Sequence, residues 1–345
     1  MTTPESPPLP TGLCVLGLGL IGGSVLRAAA DHLPVAGWSP SEGTRSDAAA
    51  AGFNVHQDLV AALEWAVATD ALVILASPLD TFDELLRKIT RYAPEVLLTD
   101  VGSVKSTVTH QVSTIAPRSR YVGGHPMAGT QRSGFGSGSP QLFVGAPWVT
   151  CLEAGTHLPA WDVVAGLALA VGARVVPCTV ADHDHAVARI SHLPHLLALA
   201  LAQVGEMGGA LALSLAAGAF ADGSRVAATR AELIRAMCES NRDPLIDAFD
   251  DALGILGVAR GSLASTGSLD KLTQAGHTAR LSFEHHADDL SAVELVDPAV
   301  TDLVQLGEAG GFVSAVRRTS SGRTVSGSAP ADWRRFGSRP TDETD

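Results

Sequence analysis

The 345-residue chain holds only four cysteines, Cys14, Cys151, Cys178 and Cys238, scattered with no CxxC pair and no regular spacing. That excludes the disulfide framework of a small secreted fold and points to a reduced, cytoplasmic setting. Positive charge is scarce as well: 24 Lys and Arg stand against 36 Asp and Glu, a formal net charge of −12. Such a field repels nucleic acid and anionic membranes over most of the surface, so neither is expected as a partner and a small molecule is. The N-terminus lacks the basic start and apolar stretch of a signal peptide; residues 1–10 are polar and proline-rich and are expected to form a disordered tail. No uninterrupted apolar run reaches membrane-spanning length. The longest, 196–220, is broken by Gln203, Gly205, Glu206, Gly208 and Gly209 and reads as two buried helices.

What the chain does have is apolar content, 46% of its residues, enough for two packed cores. From 11 to 179 short apolar runs at 13–16, 35–38, 71–76, 96–101, 121–123, 148–152 and 174–176 alternate with amphipathic stretches, the pattern of a parallel sheet covered by helices. From 180 to 286 the β-branched runs stop and Ala/Leu-rich segments of helical period take over, predicting a second, all-α domain. Its apolar content exceeds the need of one thin helical layer, which points to a homodimer formed through this domain; a self-contained bundle is the alternative. Residues 287–345 form a C-terminal extension with one strand-helix-strand unit at 292–296, 298–307 and 312–316. Beyond Arg317 the composition reads as a flexible tail, dispensable for catalysis, and too little remains for a complete βαββαβ regulatory domain.

The first apolar run leads directly into Gly17-Leu18-Gly19-Leu20-Ile21-Gly22. Gly17 permits a tight turn, Gly19 lets the backbone approach a pyrophosphate, and Gly22 lets the following helix pack closely with its N-terminus aimed at the phosphates. The expected fold is therefore an α/β Rossmann-like dinucleotide-binding domain followed by an all-α helical dimerisation domain, with NAD or NADP as cofactor. Gly17, Gly19, Leu20, Ile21 and Gly22, together with Ser77 after the 71–76 run, are the candidate cofactor contacts. Ser39 stands at the end of the second run, where an acid would bind the ribose 2′-hydroxyl and where small or basic residues admit a 2′-phosphate. Arg45 is close enough in sequence to reach such a phosphate, and Glu42 is close enough to neutralise it, so the choice of cofactor stays open.

Three further clusters fall where a doubly wound sheet places its carboxyl edge. They are Thr99-Asp100-Val101-Gly102-Ser103-Val104-Lys105, then Gly123-Gly124-His125-Pro126-Met127-Ala128-Gly129-Thr130, and His183-Asp184 with Ser191-His192-Leu193-Pro194-His195. Their order and spacing, from about residue 13 to 256, resemble the prephenate and arogenate dehydrogenases, whose pattern combines the glycine turn with DxGSVK, GGHPxAG and SHLPH. Phe220, Asp222, Ser224 and Arg225 match the F-x-D-x-[ST]-R pattern of that family. Two positions depart from it: Ser39 where many members have Asp, and Cys238 where many have Trp.

The resemblance implies an NAD(P)-dependent oxidoreductase of tyrosine biosynthesis that oxidatively decarboxylates prephenate, or alternatively arogenate. Its catalytic residues would be His125, as base for the hydroxyl proton, and Ser103, orienting that histidine. Its substrate contacts would be Thr130, Ser191, His195 and Arg225, the arginine pairing a carboxylate in two-pronged fashion. His192 is read as structural. Ser103 could equally cap a helix, and Lys105 is as readily a solvated residue as a site residue.

Other readings stay open. Hydroxyacid dehydrogenases of similar architecture use a lysine in the second domain, but Lys88, Lys105 and Lys271 are the only lysines and none lies in a matching motif. His183, Asp184, His185, His192 and His195 could hold a metal, although the family pattern explains them without one. A non-catalytic NAD(P)H sensor would carry the same glycine turn and would lack turnover.

Overall fold

The structure, a computed structural model, describes residues 8–130, 132–319 and 322–335. These fall into two compact units: the residues up to His183 together with those from Ser291 onward, and Asp184–Leu290. Of the tail expected at 1–10, residues 1–7 lie outside the described part. Pro8 to Pro10 pack down instead. Leu9 joins the main core, and the Pro8 carbonyl lies so close to Gly166 that a Cβ there would sit 2.1 Å from it.

The first unit is built on eleven described strands: β1 Leu13–Leu16, β2 Val35–Trp38, β3 Asn54–Val55, β4 Leu72–Leu75, β5 Leu97–Asp100, β6 Arg120–Pro126, β7 Pro147–Cys151, β8 Arg174–Cys178, β9 Leu290–Val296, β10 Phe312–Thr319 and β11 Gly322–Pro330. They form one sheet in the order β3-β2-β1-β4-β5-β6-β7-β8-β10-β11-β9. From β3 to β6 all pairings are parallel, with helices between successive strands. Both faces of the central strands are covered. Leu13, Val15, Leu72 and Ile74 face one apolar cluster, whereas Cys14, Leu16, Val73 and Leu75 face the other. This two-sided burial is why these runs are apolar throughout rather than alternating.

β6 and β7 pair antiparallel, and the register sets His125 opposite Val149. The apolar run at 121–123 therefore understates the strand. β6 continues through the glycines to Pro126, and His125 stands inside the ladder rather than in a turn beyond it.

The larger departure is at the C-terminus. Residues read as a flexible tail after Arg317 form a hairpin, β10 with β11, and β10 pairs antiparallel with β8 at Val313 and Val175. Val325, Ala329 and Trp333 are buried in the main core. Small and polar residues disguise the strand in the sequence because its inward positions are close to neighbouring backbone. A Cβ on Gly327 would lie 2.1 Å from the Phe312 carbonyl oxygen. Arg318 and Arg323 of this hairpin also reach the fully buried carboxylate of Asp162, on the helix Leu158–Ala170, at 3.4 and 3.3 Å. Burial pushes that carboxyl up from its ordinary range and the two arginines oppose the shift.

The second unit is helical. It runs through a π turn at Ala188–His192 and the helices Leu193–Met207, Gly209–Leu215, Gly218–Ser224, Ala231–Ser240, Arg242–Ser265 and Asp270–Glu284. Its buried apolar residues are few: Val187, Ala188, Ala198, Ile234, Cys238, Leu245 and Ala248. The segment 196–220, expected as buried helices, is instead open in the single chain, with Met207 85%, Leu211 71% and Leu215 73% exposed. The stretch Val180–Met207 is long and apolar enough to cross a membrane by length and composition. However, it buries His183, Asp184 and His192 within the protein.

Candidate active site

The glycine turn has the geometry that a pyrophosphate requires. Gly17 adopts φ +110°, and a Cβ there would meet the Ala76 and Ser77 backbone at 2.5 Å, so no other residue fits. A Cβ on Gly22 would lie 1.9 Å from the Gly17 carbonyl, the close approach of helix to turn expected for the third glycine. Gly19, by contrast, faces nothing within 4 Å. The helix Leu20–Ala29 starts there with no side-chain cap and no acidic residue in its first turn. Leu20, Ile21 and Gly22 thus carry amides left over by helix geometry beside open space and a positive dipole end, which suits the phosphates of NAD or NADP. Ser77 follows β4 and its hydroxyl bonds Thr81 Oγ1 at 2.6 Å.

At the end of β2, Ser39 is buried and Ser41 caps the helix Glu42–Ala50 by accepting from the Thr44 amide. Arg45, on the first turns of that helix, folds back so that Nη1 donates to the carbonyls of Ser39 at 2.7 Å and Pro40 at 3.0 Å. Its charge thus lies beside the loop expected to read the ribose, and no acid occupies position 39.

The first and second clusters share a buried ionic network. Lys105 is fully buried and its ammonium contacts the Asp100 carboxylate, also fully buried, and donates to the Gly124 carbonyl at 2.7 Å. Asp100 further accepts from the Gly102 amide at 2.9 Å, the Tyr121 hydroxyl at 2.7 Å and the Gly124 amide at 3.2 Å. Burial first, and the Asp100 charge second, push the Tyr121 phenol well above its ordinary range, so it stays a donor. Gly124 is therefore held at both its N–H and its C=O by the same ion pair, immediately before His125.

His125 is half-buried, and its Nδ1 lies 2.8 Å from Nε2 of His183, a residue only 2% exposed. The rings meet edge to face, with centroids 5.1 Å apart at 72°. Ser103, expected to orient His125, makes no hydrogen bond to it among the described residues; nor does it cap the next helix, whose N-cap is Lys105. Thr130 is exposed and its hydroxyl accepts from the Arg132 amide at 3.2 Å.

In the helical unit, the π turn ends just before Leu193 and Pro194, where proline has no N–H to give the ladder. His195 Nδ1 lies 2.8 Å from the Ser191 carbonyl, which can only accept, so Nδ1 carries the hydrogen. His192 is fully buried. Asn241 donates to its Nδ1 at 3.1 Å and to the Asp184 carbonyl at 2.7 Å. Arg225 opens a short 3-10 turn on the exposed side of this unit, preceded by Ser224, whose hydroxyl donates to the Phe220 carbonyl at 2.6 Å. Cys238, the second departure from the family pattern, lies in the small helical core.

Two residues of weight were missed by sequence reasoning. His183 stood in a recognised cluster without an assigned role. Lys105 was as readily read as solvated, although a lysine following Asp-x-Gly-Ser-Val was the available signal. Its acceptor, the Gly124 carbonyl, is 19 residues away and only the fold brings it close.

A parallel sheet with a glycine turn at its first strand, a half-buried histidine one strand beyond the buried ion pair, and a separate helical unit together define a dinucleotide-dependent enzyme class. Comparison with known proteins narrows it. The family described as prephenate dehydrogenase, nucleotide-binding domain, matches residues 23–177, and prephenate dehydrogenase, dimerization domain, matches 179–265. The chain belongs to the prephenate dehydrogenase family. It is 31% identical to the prephenate dehydrogenase of Bacillus subtilis over 69% of this chain and 66% of that enzyme. A solved structure from Corynebacterium glutamicum, provisionally named a prephenate dehydrogenase, is 45% identical with TM-score 0.78, over 80% of this chain and 90% of that one. The arogenate dehydrogenase of Synechocystis is 28% identical with TM-score 0.68, over 79% and 99%.

Proposed function

We propose that this chain oxidises prephenate with NAD or NADP and releases carbon dioxide, yielding 4-hydroxyphenylpyruvate for tyrosine biosynthesis. The observation that carries the reading is His125, a side chain of the type that titrates in the range a base needs, half-buried at the end of β6 with its Nδ1 2.8 Å from Nε2 of His183. Gly17, Gly19, Leu20, Ile21 and Gly22 would hold the cofactor through its phosphates, and its nicotinamide would supply the acceptor for the hydride leaving the carbinol carbon. His125 takes the hydroxyl proton as that hydride departs, leaving a dienone. Loss of the ring carboxylate as carbon dioxide then makes the ring aromatic, and His125 returns the proton to the phenolate oxygen. Prephenate and oxidised cofactor thus become hydroxyphenylpyruvate, carbon dioxide and reduced cofactor, with no net proton gained or lost.

Arg225 is proposed to pair a substrate carboxylate, with Ser191, His195 and Thr130 contacting the remaining polar groups and Ser103 lying toward the nicotinamide. With Nδ1–H donating to the Ser191 carbonyl, the Nε2 of a neutral His195 is an acceptor, which supports a role in accepting from a donor on the substrate. A second reading, arogenate as substrate, is favoured by the similarity to the Synechocystis enzyme. We also infer that the chain works as a homodimer through the helical unit, on the apolar exposure of Met207, Leu211, Leu215 and Val258. Four buried thiols suit a reducing, cytoplasmic setting; burial pushes Cys14 to about 12.

The test is a two-by-two assay of prephenate and arogenate with NAD and NADP, following reduced nicotinamide. Turnover of prephenate is expected. Absence of turnover in all four combinations would overturn the reading and leave a cofactor sensor in its place.

A further inference from the structure

From the ring-to-ring contact we infer that His183 is a positioning residue, holding His125 in the one tautomer that can act as a base. The inference rests on the role proposed for His125. Between His125 Nδ1 and His183 Nε2, 2.8 Å apart, one nitrogen donates and the other accepts. If His183 donated, the hydrogen on a neutral His125 would sit on Nε2, and the edge left for substrate could not take a proton. The productive arrangement has His125 Nδ1–H donating to Nε2 of a neutral His183.

Burial by itself favours a neutral His183 as the acceptor. His183 is 2% exposed, on the helix Val180–Val187 beside the apolar cluster of Met127, Val149, Cys151, Cys178 and Val180, whereas His125 is half-buried. An imidazolium is penalised more at the buried ring than at the outer one. The backbone of His125 is anchored independently through Gly124 by Asp100 and Lys105. The ion pair thus sets where the ring is attached, and His183 sets the ring's rotation and tautomer.

Two amides separate positioning from simple space-filling. The terminal atoms of Gln reach about as far as histidine Nε2, so Oε1 in His183→Gln can accept from His125; those of Asn reach only about as far as Nδ1. In the full-length enzyme, His183→Asn is expected to lower kcat by roughly ten- to a hundredfold, with KM for substrate and cofactor changed less than about threefold. His183→Gln is expected to restore most of kcat. Nitrogen-15 NMR of the imidazoles, which needs no turnover, should show His125 as the Nδ1–H tautomer in the parent and in His183→Gln, and as a mixture in His183→Asn. Parental kcat in a folded His183→Asn would overturn the inference. So would a His183→Gln as impaired as His183→Asn, or an unshifted tautomer in the Asn variant. If the parent turns over neither prephenate nor arogenate, the functional reading fails alone, and the tautomer measurement still decides the role of His183.

Discussion

His125 and Arg225 should fail in different ways when replaced, because a base acts in the transition state whereas a carboxylate clamp also acts on the bound ground state. His125→Asn stays polar but takes no proton; kcat should fall about a hundredfold or more with little change in KM. Arg225→Ala should raise KM for the substrate roughly tenfold or more. Steady-state kinetics separates the two, and titration of the reduced cofactor should show its binding intact in both. An unchanged kcat in His125→Asn would remove it as the base. Ser39 carries a second residue-scale expectation. With Arg45 against its carbonyl and no acid at the position, NADP should be accepted. Ser39→Asp should then raise the apparent KM for NADP far more than for NAD, and equal effects would mean that this loop does not read the ribose. Lys105 shows why residue identity alone was ambiguous: a lysine in a helix-start motif reads alike whether solvated or buried. Removing one member of a fully buried pair strands the other. Lys105→Met should therefore destabilise the protein by about 3–5 kcal/mol in denaturant unfolding, and adding Asp100→Asn should recover part of that loss.

Among elements, the β10–β11 hairpin departs furthest from what its composition suggests. A run such as Gly-Arg-Thr-Val-Ser-Gly-Ser-Ala has little apolar content, yet its burial alternates residue by residue because every second position faces a core supplied by other elements. Truncation after Val316 removes β11 and the partners of Asp162, so the shortened protein should melt well below the parent or fail to fold. A truncated form with parental melting temperature and activity would show the hairpin to be ornamental. A finer test is Arg323→Ala, which leaves the Asp162 carboxylate buried with the more exposed Arg318 as its remaining arginine partner. A loss on the order of 3 kcal/mol at neutral pH is expected. The sign with pH follows from the direction of the shift. The folded carboxyl titrates higher than the unfolded one and higher still without Arg323. The deficit is therefore full above the folded pKa and shrinks as pH falls through it. A deficit that grows on acidification would contradict this assignment.

At the scale of the whole molecule, the helical unit buries few apolar residues of its own and exposes many. A domain with Met207, Leu211, Leu215 and Val258 all more than two-thirds open is expected to find cover, and a second copy is the proposed source. Sedimentation should give twice the chain mass. Replacing Leu211 and Leu215 together by Glu should shift the protein toward monomer or aggregate. An unchanged monomer in both proteins would refute the dimer.

The alternation of apolar runs, the glycine turn, the GGHPMAGT and SHLPH clusters and the switch to helical period were legible along the chain, because each is a local pattern with a local physical cause. The strand positions of β1 and β2, the φ of Gly17 and the family itself follow from such patterns. Contacts between residues distant in sequence were not legible in this way. That Lys105 is buried against Asp100 and Gly124, that His183 lies 2.8 Å from His125, and that a polar C-terminal run completes the sheet all depend on which neighbour the fold brings within about 3 Å. Hydrogen-bond geometry and desolvation are short-range, so only the tertiary structure decided them.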